Sequence, residues 1–178
     1  MDIKEARKNV IEQQIRPWGG LNVRANQALS DIPRENFVPE EYQKLVFADI
    51  EIPLNELDKM FSPKIEGRIL DSINLQGNED ILEFGTGSGY LTSVLAKLSN
   101  SVTSIEIEYD LHVKAKENID KLKIININLI NDTFNSSNFK EAQFDAIIIG
   151  SALPNIEDEL KKLLKVGGKL FVVLGSKN

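Results

Sequence analysis

The residues best suited to chemistry are a glycine-rich run, Gly85 Thr86 Gly87 Ser88 Gly89, directly after an apolar stretch. Glycines permit a tight turn and let a ligand approach the backbone, and a helix that begins there presents unpaired N–H groups. This arrangement is typical of a nucleotide cradle. Tyr90 stands where a dinucleotide fingerprint needs a third glycine, and no lysine followed by serine or threonine closes the run. The sequence therefore disfavours a pyrophosphate site and a P-loop.

Acidic residues follow the glycine run at the predicted ends of successive strands. Glu106 stands 17 residues after Gly89, where a carboxylate can accept hydrogen bonds from both ribose hydroxyls. Asp132 ends the next strand and could meet an adenine amino group, and Glu83 could bind an ammonium. Each feature alone has a structural explanation, but their common register favours binding. Three carboxylates without a phosphate-binding lysine predict a cationic nucleoside ligand, S-adenosylmethionine.

Composition excludes several other classes. The chain has 178 residues, a net charge of −6, no cysteine and a single histidine, His112. Disulfides, thiolate sites and thiol catalysis are therefore excluded, and we expect no metal site. The negative balance argues against a nucleic-acid partner. No apolar stretch approaches the ~18 residues of a membrane span, and the first residues lack an apolar signal core. These observations predict a cytoplasmic protein that does not bind membranes.

The elements that must position these residues follow from the hydrophobic pattern. From residue 77, short apolar runs alternate with helical patterns, which predicts a parallel sheet in an α/β fold. We expect strands at 80–84, 102–107, 124–130, 144–150 and 169–174, and helices at 88–99, 110–121 and 155–165, with Gly167 and Gly168 ending the last helix. Before residue 77 the pattern predicts helices at 1–16, 22–30, 40–46 and 64–74, a short strand at 50–54 and a polar loop at 55–63. The predicted division is a helical addition with a substrate-side loop, 1–76, and a cofactor-binding part, 77–178, in one compact unit.

The chain resembles a known family over almost its whole length. The resemblance rests on four cofactor-side segments (82–90, 104–106, 131–132 and 144–148) and three earlier ones (14–16, 52–54 and the string Ile32 Pro33 Arg34 Glu35 Asn36 Phe37 Val38 Pro39). These segments are similar to those of the protein-L-isoaspartate O-methyltransferases. The string around Arg34 is the most specific, because many methyltransferases share the glycine loop.

The resemblance implies a Rossmann-like methyltransferase fold, a mostly parallel doubly wound sheet with an N-terminal helical addition. It implies methyl esterification of isoaspartyl carboxylates in aged proteins, a repair activity that converts S-adenosylmethionine to S-adenosylhomocysteine. Carried over to this sequence, it places Gly85, Thr86, Gly87 and Gly89 at the methionine moiety, Glu106 at the ribose, and Asp132 with Thr133 at the adenine. Ile107, next to Glu106, is also an expected cofactor-binding residue. Glu83 completes this expected set of cofactor-binding residues.

One departure from the family pattern lies in the substrate-side loop. The family carries Gly Gln Thr Ile Ser x Pro there, and matching its proline to Pro63 puts Phe61 at the serine position. Ser62, one place later, and Lys64, two residues after Ser62, are the candidate substrate-side catalytic residues. An acceptor carboxylate is already ionised at pH 7, so the serine would orient it rather than act as a general base.

Two alternatives stay open at this point. The altered loop is also compatible with a methyltransferase of the same family that acts on another acceptor, or with a cofactor-binding protein without transferase activity. Similar chains continue into a strand hairpin beyond the fifth strand, whereas this sequence stops at Asn178. We therefore expect the fifth strand to be an edge, and the protein to be a monomer or a homodimer paired through that edge.

Overall fold

The computed structural model describes residues 3–18, 21–153 and 155–175, and within them the chain forms a five-stranded parallel sheet and a small hairpin. The strands are β1 (Ile52–Pro53), β2 (Lys59–Met60), β3 (Asp80–Phe84), β4 (Ser101–Glu106), β5 (Ile127–Asn131), β6 (Phe144–Leu153) and β7 (Leu164–Leu174). The parallel sheet has the order β5-β4-β3-β6-β7, while β1 and β2 pair antiparallel. The predicted Rossmann-like α/β fold is confirmed.

The α-helices of the described residues are α1 (Ile3–Asn9), α2 (Val23–Asp31), α3 (Pro63–Ile73), α4 (Tyr90–Leu98), α5 (Tyr109–Lys121) and α6 (Asp158–Lys162). Of these, α2, α3, α4 and α5 lie close to their predicted positions. Residues 1–2 of the first predicted helix, 1–16, lie outside the described residues. Its described part is α1, which continues into a π-helix at Val10–Ile15. The predicted helix at 40–46 is a 3-10 helix, Glu40–Leu45.

The sheet has an apolar core on each face because neighbouring strand residues point to opposite sides. Ile81 and Ile148 belong to a core shared with α2, α3 and α4, whereas Leu82 and Ile147 belong to a core that includes Leu160 of α6. The first core also contains side chains from the helical addition. The addition and the sheet therefore share one hydrophobic core, and the predicted boundary between residues 76 and 77 stays a prediction.

The third predicted strand, 124–130, begins later than expected. Lys123 has φ +55°, Ile125 is exposed, and the Asn126 side chain donates to the backbone carbonyl of Ala96 at 2.9 Å. Residues 124–126 are therefore a loop that the Asn126 hydrogen bond attaches to the C-terminal part of α4. The parallel pairing with β4 starts only at Ile127.

The C-terminal elements also differ from the prediction, because helix 155–165 is only α6 and strand 169–174 is the longer β7. Gly167 and Gly168 do not end the helix but lie within β7. Phe144 pairs with Leu164 and Ala146 with Lys169, so residues 165–168 form an irregularity that Gly167 accommodates with φ +81°. Among the described residues, β7 is an edge of the parallel sheet, as predicted for the fifth strand.

The described part of the chain shows no sign of a membrane span or of a metal site. None of its helices has the length and apolar character that a membrane span requires. Its histidine, aspartate and glutamate side chains nowhere form a group of three or more that could hold a metal ion. The cytoplasmic location stays a prediction.

Candidate active site

The glycine run forms the turn between β3 and α4. Gly87 has φ +57°, and a Cβ at this position would lie 3.1 Å from Leu54 Cδ1. Gly89, with φ +82°, comes directly before α4, and its Cβ would lie 3.1 Å from Ile119 Cδ1 of α5. A side chain at either position would be strained and crowded. The glycines thus bring the loop close both to the hairpin residue Leu54 and to α5.

Glu83, near the end of β3, is a buried carboxylate held by hydroxyl groups. Its Oε2 accepts hydrogen bonds from Thr92 Oγ1 at 2.5 Å and from Ser104 Oγ at 2.7 Å. Burial, together with the nearby Glu106, raises the pKa of Glu83 to about 7, against the lowering effect of these two hydrogen bonds. A cation bound beside Glu83 would favour its ionised form.

Glu106, at the end of β4, is tied directly to the glycine loop. Its Oε2 accepts from the Gly87 N–H at 2.8 Å, and its Oε1 accepts from the Glu108 N–H at 3.1 Å. A carboxylate has about four acceptor positions, so capacity for further hydrogen bonds remains. The structure therefore brings Glu106 to the loop, as the sequence predicted.

The remaining predicted cofactor-side residues follow the ends of β4 and β5, which are held together. Glu106 pairs with Asn131 in the sheet, and the Asn131 side chain donates to the Glu106 carbonyl at 2.8 Å. Ile107 is exposed just after β4. Asp132 and Thr133 are exposed just after β5, and Asp132 Oδ1 accepts the Thr133 N–H at 2.7 Å. These residues form a continuous edge beside the glycine loop.

A cleft opens between this loop and the β1–β2 hairpin. One side is formed by the loop and its flanks: Glu83, Gly85, Thr86, Gly87, Ser88 and Leu91. The other side is the hairpin wall, which we define as Leu54, Lys59, Met60 and Phe61, and Ile148 and Gly150 of β6 complete the lining. A Cβ on Gly150 would lie 3.7 Å from Phe61 Cε2. The sequence predicted a polar substrate-side loop at 55–63, but Lys59–Met60 is a strand, and nothing in the sequence pointed to a role in binding for the individual residues of this wall.

The two predicted catalytic residues, Ser62 and Lys64, are not among the residues that line the cleft. Both contact Asp49 instead. The Ser62 side chain lies close enough to the Asp49 carboxylate to help lower its pKa, and Lys64 Nζ lies 3.2 Å from Asp49 Oδ2. The Lys64 N–H also donates to Asp49 at 3.0 Å. These contacts fix the start of α3, so the catalytic roles of Ser62 and Lys64 remain untested predictions without geometric support.

Arg34, from segment 32–39 on which the family resemblance rests, connects the elements around the cleft. It is buried, and Nη1 bonds both carboxylate oxygens of Glu66 in α3. Its Nη2 donates to the Phe61 carbonyl at 2.8 Å, and the guanidinium carbon lies 5.0 Å from the centre of the Tyr90 ring. One side chain therefore contacts the hairpin wall, α3 and the first residue of α4.

The fold and this cleft define a class of protein. A parallel sheet with a glycine turn at its central strand and carboxylates at the ends of β3 and β4 is the architecture of a Rossmann-like methyltransferase. The comparisons with known proteins narrow this class to a family.

A sequence model described as "Protein-L-isoaspartate(D-aspartate) O-methyltransferase (PCMT)" matches residues 5–178. The chain is 33% identical to a protein-L-isoaspartate O-methyltransferase of Geobacter metallireducens over 176 residues, which are 99% of this chain and 82% of that protein. It is 34% identical to one of Syntrophus aciditrophicus over 175 residues, 98% of this chain and 80% of that protein. This chain belongs to the protein-L-isoaspartate(D-aspartate) O-methyltransferase family.

A solved structure agrees with this assignment at the level of the fold. It is described as a protein-L-isoaspartate O-methyltransferase from Plasmodium falciparum in complex with S-adenosyl-L-homocysteine. The TM-score is 0.81 at 22% identity, over 99% of this chain and 86% of that chain. The likeness therefore includes the helical addition as well as the sheet.

The raised pKa of Glu83 predicts a pH dependence of stability. The ordinary value is 4.5 and the folded-state value about 7, so between them the folded protein keeps a proton that the unfolded chain has released. The free energy of unfolding from this group therefore falls as pH rises through that window. Glu83→Gln cannot titrate and so lacks this pH-dependent loss. The free energy of unfolding of the variant minus that of the wild type should therefore increase by about 2 kcal/mol between about pH 5 and about pH 7.5.

Urea unfolding of both proteins across this pH range measures the difference. Glu117→Gln, on the exposed side of α5, is the control and should follow the wild-type pH profile. Parallel profiles for Glu83→Gln and wild type would contradict the assigned protonation of Glu83.

Proposed function

We propose that this protein uses S-adenosylmethionine to methyl-esterify isoaspartyl residues in peptides and proteins. The observation that carries the proposal is that the family match extends over residues 5–178 and so includes both sides of the cleft. Esterification activates the isoaspartyl carboxylate for closure to a succinimide, from which normal aspartyl peptide can form. The product of the cofactor is S-adenosylhomocysteine.

The residues present fit this cofactor. A side chain at position 87 would fill the gap between the loop and Leu54, so glycine leaves bare backbone for a ligand. Glu106 keeps acceptor capacity for ribose hydroxyls after its two backbone contacts. Glu83 is a buried carboxylate in the cleft lining, suited to the ammonium of the methionine moiety.

We assign the remaining predicted cofactor residues by their places along this edge. The loop residues Gly85, Thr86, Gly87 and Gly89 would hold the methionine moiety. Ile107 would lie beside the ribose, and Asp132 with Thr133 would contact the adenine. When bound, the cofactor supplies a methyl group made electrophilic by its sulfonium.

The protein's own contribution is positioning. An acceptor carboxylate with an ordinary pKa is ionised at pH 7, so no residue must remove a proton from it. Leu54, Met60 and Phe61 give the hairpin wall an apolar surface that excludes water from the reacting carboxylate. Arg34 fixes this surface through the Phe61 carbonyl, and holding two reactants in place supplies much of the rate in such a reaction.

A second candidate function is methylation of a different carboxylate acceptor by the same cleft. Phe61 favours it, because its ring lines the cleft at the position where the family pattern has a serine hydroxyl. An apolar ring provides no hydrogen bond to orient a carboxylate. The two candidates share the cofactor site and differ only in the acceptor.

The oligomeric state is a separate proposal, a monomer or a homodimer paired through β7. The edge position of β7 among the described strands supports the dimer, since an unpaired edge is a template for another strand. Sedimentation analysis distinguishes the two.

Transfer of a labelled methyl group from S-adenosylmethionine to an isoaspartyl peptide tests the proposed function. We expect labelling of this peptide and none of the matching aspartyl peptide, because only the former presents the carboxylate that the family esterifies. No labelling by protein that binds the cofactor would reject the isoaspartyl substrate and favour the second candidate. Equal labelling of both peptides would reject the specificity.

Glu106→Gln tests the cofactor site. Loss of the charge removes acceptor capacity for the ribose, so the affinity for S-adenosylhomocysteine should fall by about ten- to a hundredfold. Calorimetric titration measures it. Glu108→Gln, two residues later, should bind like wild type, because only its backbone N–H contacts Glu106. Unchanged affinity in folded Glu106→Gln protein would show that the ribose lies elsewhere.

A further inference from the structure

Lys59 occupies a place in the cleft that the family pattern does not explain. It lies in β2 and is one of the residues of the hairpin wall that line the cleft. Its Nζ lies 3.6 Å from Glu51 Oε2, and both side chains are about half exposed, at 54% and 55%. This distance exceeds the 2.7–3.2 Å range of an N–H···O hydrogen bond. Glu51 therefore leaves the ammonium able to donate to another acceptor.

The charges of the cleft make this lysine distinctive. Among the described residues that line the cleft, Lys59 is the only basic one and Glu83 the only acidic one. The whole chain carries a net charge of −6, which repels an approaching anion. Among the described lining residues, Lys59 is thus the one cation available to a carboxylate that enters the cleft, and its neighbour Glu51 is not part of the lining.

We propose that the Lys59 ammonium binds the carboxylate of the methyl acceptor and guides it into the cleft. This inference rests on the proposed function. Phe61, at the serine position of the family pattern, has no hydroxyl to bind the acceptor carboxylate, and Lys59 binds it instead. An ammonium offers three donors in a compact charge on a flexible stem. It can therefore hold a carboxylate at the mouth of the cleft without fixing its orientation.

Lys64, the lysine that the sequence suggested, is placed differently. Its ammonium pairs with Asp49 at 3.2 Å and its own backbone N–H donates to the same carboxylate. It does not line the cleft. Lys59, five residues earlier, has the position that substrate binding requires.

Two carboxylates could reach this ammonium, that of the acceptor and that of the methionine moiety of the cofactor. The two sources predict different kinetic effects. Loss of a contact with the acceptor raises KM for the peptide, whereas loss of a contact with the cofactor weakens the binding of S-adenosylhomocysteine. Both quantities must therefore be measured on the same variants.

The test compares Lys59→Gln, Lys59→Arg and the control Lys116→Gln. Lys116 is an exposed lysine paired with Asp120 on α5, so its substitution makes the same charge change outside the cleft. For Lys59→Gln we expect KM for an isoaspartyl peptide to rise by about tenfold, which corresponds to about 1.4 kcal/mol. We expect kcat and the affinity for S-adenosylhomocysteine to stay within about twofold. Lys59→Arg should recover most of the wild-type KM.

Added salt gives an independent measurement, since exposed charge pairs are screened. The wild-type KM should rise with salt, and the KM of Lys59→Gln should rise much less. An unchanged KM in Lys59→Gln, while the wild type methylates the peptide, would overturn the role of Lys59 alone. Weakened binding of S-adenosylhomocysteine with unchanged KM would assign Lys59 to the cofactor and also overturn it. If the wild type neither binds nor methylates the isoaspartyl peptide, the proposed function fails and this inference fails with it.

Discussion

The central position of β3 determines where a ligand can bind. β3 pairs with β4 on one side and with β6 on the other, so the strand order changes direction at its carboxyl end. Connections leave the sheet there in opposite directions, and in open parallel sheets a crevice forms at this point. The glycine turn fills that point, and the ends of β4 and β5 extend the edge. Every predicted cofactor residue belongs to this edge because the topology brings these strand ends together.

A second constraint joins the helical addition to this edge. Arg34 and Glu66 form a buried ion pair, and removal of one partner from such a pair is strongly destabilising because it leaves an uncompensated buried charge. The same guanidinium contacts the Phe61 carbonyl and the Tyr90 ring. The addition is therefore not a separate module. Through Arg34 it holds the hairpin wall of the cleft against the first residue of α4.

The sheet, the glycine turn and the place of Glu106 could be predicted from the sequence because local patterns encode them. Alternating apolar runs predict strands, and glycines before a helix predict the turn. The substrate side could not be predicted in the same way. Ser62 and Lys64 lie at the end of the predicted substrate-side loop and directly after it, but both contact Asp49, more than ten residues earlier, and neither lines the cleft. Lys59 reaches the cleft only because the β1–β2 pairing positions it. The start of β5 also depends on a distant contact, the Asn126 side chain on Ala96.

The most direct test of this account is the repair reaction itself. An isoaspartyl peptide is incubated with the protein and S-adenosylmethionine, and the normal aspartyl peptide is quantified by chromatography. The account predicts that aspartyl peptide accumulates only when protein and cofactor are both present, since the ester formed in the cleft closes to the succinimide. An isoaspartyl peptide that persists unchanged under these conditions, with protein that binds the cofactor, would contradict it.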